Sequence, residues 1–285
     1  MVQSILAALL LGIVPLPVLP SGQVASLRTL SITPPAEQIA IAERLSASGV
    51  VVLDVAGGKR VYEKQGDVPR PMASLTKIMT ALLIAENHSM DEVVTVPESA
   101  TQVEGNRVYL QQGEQFTMGD LLSALLIASA NDAAAVLAIH HSGSLPAFVE
   151  AMNARAHALG MKSTQYANPM GLDSAQQWAT PQDLAWLTAF ALRSPEIRLR
   201  MGQRGDRILS LGGRSLALTH THALLHTHPP TVLAGKTGTT NVAKECLISL
   251  VESGGKTYII VLLRSDARYR DTGLILDALQ SVSPL

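Results

Sequence analysis

Apolar residues follow two different periods along the chain, and the change of period predicts where strands and helices lie. Residues 48–65 contain two apolar, β-branched runs on either side of Gly57 and Gly58, which predicts a hairpin. Residues 73–87 have the spacing of a helix, which is carried by Leu75, Ile78, Met79, Leu82 and Leu83. Ser74 falls at the N-terminal edge of that helix.

Capping residues predict where the following helices begin. Thr117 has Asp120 three residues later, which is close to a capping box. Ser144 precedes the next helical run. Thr180 is followed by Pro181, which suits the first position of a helix. The middle of the chain is therefore predicted to be mostly helical.

Beyond residue 205 the pattern returns to strands. It predicts a hairpin, three successive strands and a terminal helix, at 208–225, 231–240, 244–255, 256–265 and 268–282. Short glycine-containing turns join neighbouring strands as hairpins, so both ends of the chain are expected to form one antiparallel sheet. The predicted fold is α+β, with an antiparallel sheet flanked by helices and an inserted helical lobe that leaves a groove between them.

The domain prediction divides the chain in two parts. Residues 1–25 contain a short apolar stretch followed by small residues, which predicts a secretory signal peptide and export to the periplasm or another extracytoplasmic part of the cell envelope. Residues 26–285 are expected to form one catalytic domain, with a sheet lobe at about 45–72 and 205–285 and a helical lobe at about 78–204.

Charge and hydropathy exclude two classes of partner. The formal net charge of -1 argues against a nucleic-acid partner, which needs a basic patch or stripe on the protein. The prolines and short length of the N-terminal apolar stretch argue against a membrane span, and no other segment is long enough to be one. No membrane anchor is expected beyond the signal segment.

Three short motifs carry candidate chemistry. Ser74 and Lys77 are three residues apart, so on a helix they share a face, and the lysine amine can approach the serine hydroxyl. By itself this pair is weak evidence, because the pattern arises by chance in many proteins and is better explained by a helix cap followed by a solvated charge. The other two motifs, SAN at 129–131 and KTGT at 236–239, are also common on their own. Together the three motifs give the candidate site residues Ser74, Lys77, Ser129, Asn131, Lys236, Thr237, Gly238 and Thr239.

The order S-x-x-K, S-x-N, K-T-G resembles the serine D-Ala-D-Ala carboxypeptidases and endopeptidases, the low-molecular-mass penicillin-binding proteins. The resemblance covers residues 45–280 and extends to the longer stretches RPMASLTKIMTALLI, LLSALLIASANDAA, MNARAHALGM, NPMGLD and AGKTGTTNVAKECL. It implies the β-lactamase/DD-peptidase-like fold and a serine peptidase acting on D-Ala-D-Ala or D-Ala-cross-linked stem peptides of peptidoglycan. β-Lactams would be inhibitors, and neither a cofactor nor a metal is implied.

The resemblance also implies roles for the catalytic residues. Ser74 would attack the D-Ala carbonyl and form an acyl-enzyme, with Lys77 taking its proton. Ser129 would relay a proton toward the leaving amine, and Lys236 would polarise this network.

The same resemblance implies a substrate-binding set. Asn131 would hold the substrate amide, Thr237 would bind a carboxylate, and Gly238 would let the substrate backbone approach. The backbone N–H groups of Ser74 and Thr239 would form the oxyanion hole.

A lysine can act as a base only if its pKa falls from about 10.4. Two ammonium groups about 4 Å apart, at an effective dielectric constant of about 20, repel each other by roughly 4 kcal/mol. That repulsion corresponds to about three pKa units. We therefore expect Lys236 to lower the pKa of Lys77, with burial acting in the same direction.

Several alternatives remain open at this stage. Thr221 stands where some relatives have an arginine that anchors a carboxylate, so the sequence does not separate carboxypeptidase from endopeptidase activity. A β-lactamase would need a deacylating glutamate, which NPMGLD lacks. A non-catalytic wall-binding protein would need no nucleophile. The four histidines of the 220–228 stretch would offer metal ligands if they shared one strand face.

Overall fold

A computed structural model describes residues 41–281, apart from residues 42 and 229. The predicted signal segment lies outside these residues. Five antiparallel strands form the central sheet, in the order β2–β1–β9–β8–β7. They are β1 (Gly49–Asp54), β2 (Lys59–Lys64), β7 (Val232–Thr240), β8 (Lys244–Ser253) and β9 (Lys256–Ser265). The prediction that both ends of the chain build one antiparallel sheet is confirmed, because β1 pairs with β9.

Two small two-stranded sheets accompany the central sheet. They pair β3 (Val93–Thr95) with β4 (Gln115–Thr117), and β5 (Gly205–Leu209) with β6 (Ser215–Thr219). The prediction of a hairpin after residue 205 is confirmed over β5 and β6, but its extension to residue 225 is wrong. The chain forms a short helix from Ala223 instead, and the hairpin pairs with itself rather than with the central sheet.

The described residues contain nine helices, and a 3₁₀ turn at Ala73–Thr76 directly precedes the first of them. They are α1 (Lys77–Asn87), α2 (Glu98–Thr101), α3 (Met118–Leu126), α4 (Asn131–Ser142), α5 (Leu145–Ala158), α6 (Pro181–Ala191), α7 (Pro195–Gly202), α8 (Ala223–Thr227) and α9 (Arg268–Ser281). Each predicted cap is confirmed, because the hydroxyls of Thr117, Ser144 and Thr180 accept main-chain N–H bonds from Asp120, Ala147 and Asp183. None of the helices among the described residues is long and apolar enough to cross a membrane.

Two apolar cores hold the elements in place. The larger core lies between one face of the central sheet and the helices, and α1 is buried within it because its apolar residues surround the helix. The smaller core lies on the other face of the sheet, under α9. The boundaries of the two predicted lobes stay a proposal, since α6 also packs against β1 and β9.

Candidate active site

Ser74 stands in the 3₁₀ turn immediately before α1. The turn is closed by the bond from Leu75 N to Met72 O (3.2 Å) and by the Thr76 hydroxyl, which donates to Ala73 O at 2.9 Å. Ala73 has a φ of 48°, a left-handed conformation that costs energy for a residue with a side chain. This turn fixes Ser74 at the N-terminal end of a buried helix.

Lys77 is fully buried and its amine makes three short hydrogen bonds. It donates to Ser74 Oγ at 2.9 Å, to Asn131 Oδ1 at 2.6 Å and to the main-chain oxygen of Met170 at 2.6 Å. The predicted contact between the serine and the lysine is therefore present. Because the amine touches the serine oxygen directly, it is placed to accept the proton of that hydroxyl.

The surroundings of Lys77 favour its neutral form. Burial lowers its pKa well below the ordinary value, the positive charge of Lys236 lowers it further, and the Asp132 carboxylate acts in the opposite direction. Repulsion by Lys236 thus contributes as predicted from the sequence, but burial is the larger cause. A base with a lowered pKa inside the molecule is a common property of catalytic sites.

A second serine and lysine lie beside the first pair. Lys236 Nζ donates to Ser129 Oγ at 2.6 Å and to the main-chain oxygen of Thr237 at 2.9 Å. Burial, followed by the charge of Arg268, lowers the pKa of Lys236 to about 7. Ser129 has a φ of 59° in the break between α3 and α4, and this strained conformation directs its hydroxyl toward β7.

Asn131 begins α4, and hydrogen bonds hold both ends of its amide. Its oxygen accepts from Lys77, and its nitrogen donates to the main-chain oxygen of Glu104 at 2.6 Å. The sequence predicted that Asn131 holds a substrate amide, and that role stays a prediction. In the structure the side chain orients the base.

Strand β7 forms the opposite wall of the site. It is an edge strand of the central sheet, so alternate main-chain groups along it are not used by β8. A Cβ atom at Gly238 would lie 2.9 Å from Ser74 N and 2.9 Å from Ala73 Cβ, so glycine permits the strand to pass closely over the turn. Thr237 is 7% exposed, and its hydroxyl lies 2.6 Å from that of Thr221.

The loop at 168–173 closes the site beneath Ser74. Asn168 Oδ1 accepts main-chain N–H bonds from Met170, Gly171 and Leu172 at 3.2, 2.7 and 3.0 Å, which holds the loop in a tight turn. Met170 can then present its carbonyl oxygen to Lys77. Among the described residues, the hydrogen-bond partners of Ser74 Oγ are Lys77 Nζ and Met170 O, and neither is a carboxylate.

We expect Gly171→Ala to destabilise the protein by about 2–4 kcal/mol, combining left-handed strain with overpacking. Gly171 has a φ of 89°, and an added Cβ would lie 2.1 Å from Ala73 O. Gly160→Ala is the matched control, because Gly160 has a φ of 76° with nothing within 4 Å of the added atom. Urea denaturation of both variants measures the difference, and equal losses of stability would show that the close packing at Gly171 contributes nothing.

Arg268 is a site residue that the sequence motifs do not indicate. Its guanidinium, at the start of α9, donates to Gly238 O at 3.0 Å, to Cys246 O at 3.1 Å and to the Thr239 hydroxyl at 2.9 Å. These bonds brace the end of β7 behind the K-T-G-T motif. Its position next to Tyr269 in a terminal helix gives no sequence signal, because the contact depends on how that helix packs on the sheet.

The histidines of the 220–228 stretch do not share a strand face. His220 and His222 follow the end of β6, and His222 Nε2 lies 2.7 Å from Ser249 Oγ. A Cβ atom on Gly235 would lie 2.2 Å from the His222 ring, so this ring packs directly behind β7. Burial lowers the pKa of His220 to about 3 and that of His222 to about 4, so both rings are neutral near pH 7.

A half-buried serine in contact with a buried lysine, with a second serine and lysine beside them at an edge strand, defines a serine hydrolase with a lysine base. Comparison with known proteins agrees. A family model described as D-alanyl-D-alanine carboxypeptidase, peptidase S11, matches residues 36–267. The chain belongs to this family.

Relatives within the family carry two kinds of name. A D-alanyl-D-alanine endopeptidase from Pseudomonas aeruginosa is 31% identical over 240 residues, which are 83% of this chain and 77% of the relative. The D-alanyl-D-alanine carboxypeptidase DacF from Bacillus subtilis is 33% identical over 221 residues, which are 76% of this chain and 57% of the relative. The match thus spans little more than half of the Bacillus protein.

Solved structures show the same fold. A D-alanyl-D-alanine carboxypeptidase from Mycobacterium tuberculosis superimposes with a TM-score of 0.78 at 27% identity, covering 84% of this chain and 92% of the other. The Streptomyces DD-transpeptidase gives 0.78 at 26% identity, covering 84% and 98%. The predicted α+β, DD-peptidase-like fold is therefore confirmed.

Proposed function

We propose that this protein is a serine peptidase that cleaves D-Ala-D-Ala, or D-Ala-linked cross-bridges, in the stem peptides of peptidoglycan. The observation that carries the proposal is the 2.9 Å contact between Ser74 Oγ and the buried amine of Lys77. Family membership and the names of the relatives identify the substrate class. The enzyme would act outside the cytoplasm, where its substrate lies, and the signal segment predicted at residues 1–25 would take it there.

The first half-reaction would use the Ser74 hydroxyl. Its oxygen attacks the carbonyl carbon of the penultimate D-Ala while Lys77 takes the proton. The C–N bond then breaks, and the leaving amine receives a proton through Ser129, which Lys236 holds at 2.6 Å. The backbone N–H groups of Ser74 and Thr239 would stabilise the oxyanion. Water then hydrolyses the ester and regenerates the serine.

The groups available for a substrate carboxylate are mainly hydroxyls. Thr237 and Thr221 place theirs 2.6 Å apart at the wall of the site. The guanidinium of Arg268 is already bonded to Gly238 O, Cys246 O and Thr239. Among the described residues, the two cations near this point, Lys236 and Arg268, already have protein partners. The site can therefore accept a substrate whose chain continues, so cross-linked peptides are included in the proposal beside terminal D-Ala-D-Ala.

Chromatography of purified muropeptides tests the proposal. Wild-type protein is incubated separately with a monomeric pentapeptide and with a D-Ala-cross-linked dimer, and Ser74→Ala is the control. Release of D-Ala from the first substrate shows carboxypeptidase activity, and conversion of the second to monomers shows endopeptidase activity. If neither substrate changes while a penicillin still acylates the protein, the proposed natural substrate is wrong.

We expect the penicilloyl enzyme to be long-lived, because no carboxylate among the described residues is hydrogen-bonded to Ser74 Oγ, whose partners are Lys77 Nζ and Met170 O. Turnover should be at least a thousandfold below a typical enzyme kcat of about 10 s⁻¹. The check is mass spectrometry of the adduct after free penicillin has been removed. Sustained hydrolysis of a chromogenic cephalosporin would identify a β-lactamase instead.

A further inference from the structure

A second cluster of polar side chains lies far from Ser74, at the C-terminal ends of α1 and α4. His88 Nδ1 lies 2.8 Å from one carboxylate oxygen of Glu92, and His140 Nε2 lies 2.7 Å from the other. The three ligand atoms all lie within 4.8 Å of one another, and among the described residues this is the group of three that could hold a metal ion. None of these three residues belongs to the sequence motifs of the active site.

The cluster is open enough for an ion to enter. The side chains of His88, Glu92 and His140 are 14%, 36% and 28% exposed. Behind them, His88 Nε2 lies 2.9 Å from His141 Nδ1, and the His141 ring packs edge-on against Phe148. The ring of His88 is thus held from both sides, which is a common arrangement for an imidazole that binds a metal.

We propose that His88 Nδ1, the Glu92 carboxylate and His140 Nε2 bind one Zn²⁺ ion, with water as the fourth ligand. Two imidazoles and a carboxylate form a ligand set that zinc accepts. Zinc–ligand bonds of about 2.0–2.1 Å separate tetrahedral ligands by about 3.3 Å. The two imidazole–carboxylate contacts of 2.8 and 2.7 Å would each widen by about half an ångström, and the carboxylate would turn so that one of its oxygens binds the ion. His88 would bind as the tautomer whose Nε2–H donates to His141 Nδ1.

The position of the cluster indicates what the ion would do. Helices α1 and α4 begin at Lys77 and Asn131, whose side chains meet in the active site at 2.6 Å. His88 and His140 lie about 16 Å and about 14 Å further along these helices, from a rise of about 1.5 Å per residue. The ion would join the far ends of both helices. It would stabilise the protein without taking part in the chemistry at Ser74.

Zinc titration of the full chain, stripped of metal with a chelator, tests the proposal. Calorimetry should give one site, and a zinc concentration 100-fold above the dissociation constant should raise the Tm by about 5–10 °C. His140→Ala and Glu92→Gln should each lower the affinity at least tenfold. The second-order rate of penicillin acylation at 25 °C should stay the same with zinc, with chelator and in both variants.

The His-rich stretch at 220–228 provides a matched control, because it is the other place where histidines are close in sequence. The double variant His226→Ala/His228→Ala should keep wild-type zinc affinity and the full rise in Tm. The proposal fails if that double variant loses binding, if His140→Ala and Glu92→Gln keep it, or if wild-type protein shows no stoichiometric site.

Discussion

Replacing Ser74 with alanine is expected to abolish covalent labelling by a fluorescent penicillin, with a loss of at least about 10⁴-fold in acylation rate. The mutation removes the oxygen that lies 2.9 Å from Lys77 Nζ and would form the ester. It leaves the bonds of Lys77 to Asn131 and Met170 in place, so the fold should be preserved. Gel fluorescence measures labelling, and thermal unfolding verifies the fold.

A matched serine makes this experiment specific. The Ser48 hydroxyl lies outside the site, where it makes one long bond of 3.4 Å to Arg264 O, so Ser48→Ala should label at the wild-type rate. Labelling of Ser74→Ala at that same rate would place the nucleophile elsewhere in the chain.

The second large effect concerns Lys236. Lys236→Met should lower the acylation rate by about 10²-fold at pH 6, because it removes both a partner of Ser129 and a positive charge that lowers the pKa of Lys77. Without that charge the pKa of Lys77 rises. The acid limb of the pH–rate profile, which follows deprotonation of Lys77, should then move to higher pH.

The size of that movement is limited by burial, which is the larger cause of the low Lys77 pKa and remains in the variant. Lys236 itself titrates at about 7, so its charge acts mainly below pH 7 and the loss should be greatest there. Lys236→Arg keeps a charge, and its acid limb should stay nearer to the wild type. The measurement is the second-order acylation rate from pH 5 to 10. An equal loss at every pH would mean that Lys236 only positions Ser129.

Local sequence patterns predicted the central sheet and most helices correctly. The capping residues Thr117, Ser144 and Thr180 each bond to a main-chain N–H three positions further along the chain. Such local bonds can be predicted from the sequence alone. Helices α2, α7 and α8 were not predicted. All three are short, and none has the extended apolar period on which such a prediction depends.

The sequence predicted only those site residues that belong to the three motifs. These motifs indicated Ser74, Lys77, Ser129 and Lys236, which the fold brings into direct contact in pairs. The carbonyl of Met170 was not predicted, because a main-chain oxygen has no residue signature.

Contacts between distant segments account for the rest. Arg268 reaches the site through the packing of α9, and the pairing of Glu92 with His140 joins residues 48 positions apart. No local pattern records such contacts. The relative size of burial and repulsion at Lys77 likewise required the folded surroundings of the amine.

The most direct test of the account is intact-mass spectrometry of the wild-type protein after incubation with benzylpenicillin, followed by peptide mapping. The account predicts a single adduct with the mass of one penicillin, located on Ser74, because this hydroxyl contacts the buried, low-pKa amine of Lys77. An unmodified protein, or an adduct located on another residue, would contradict it.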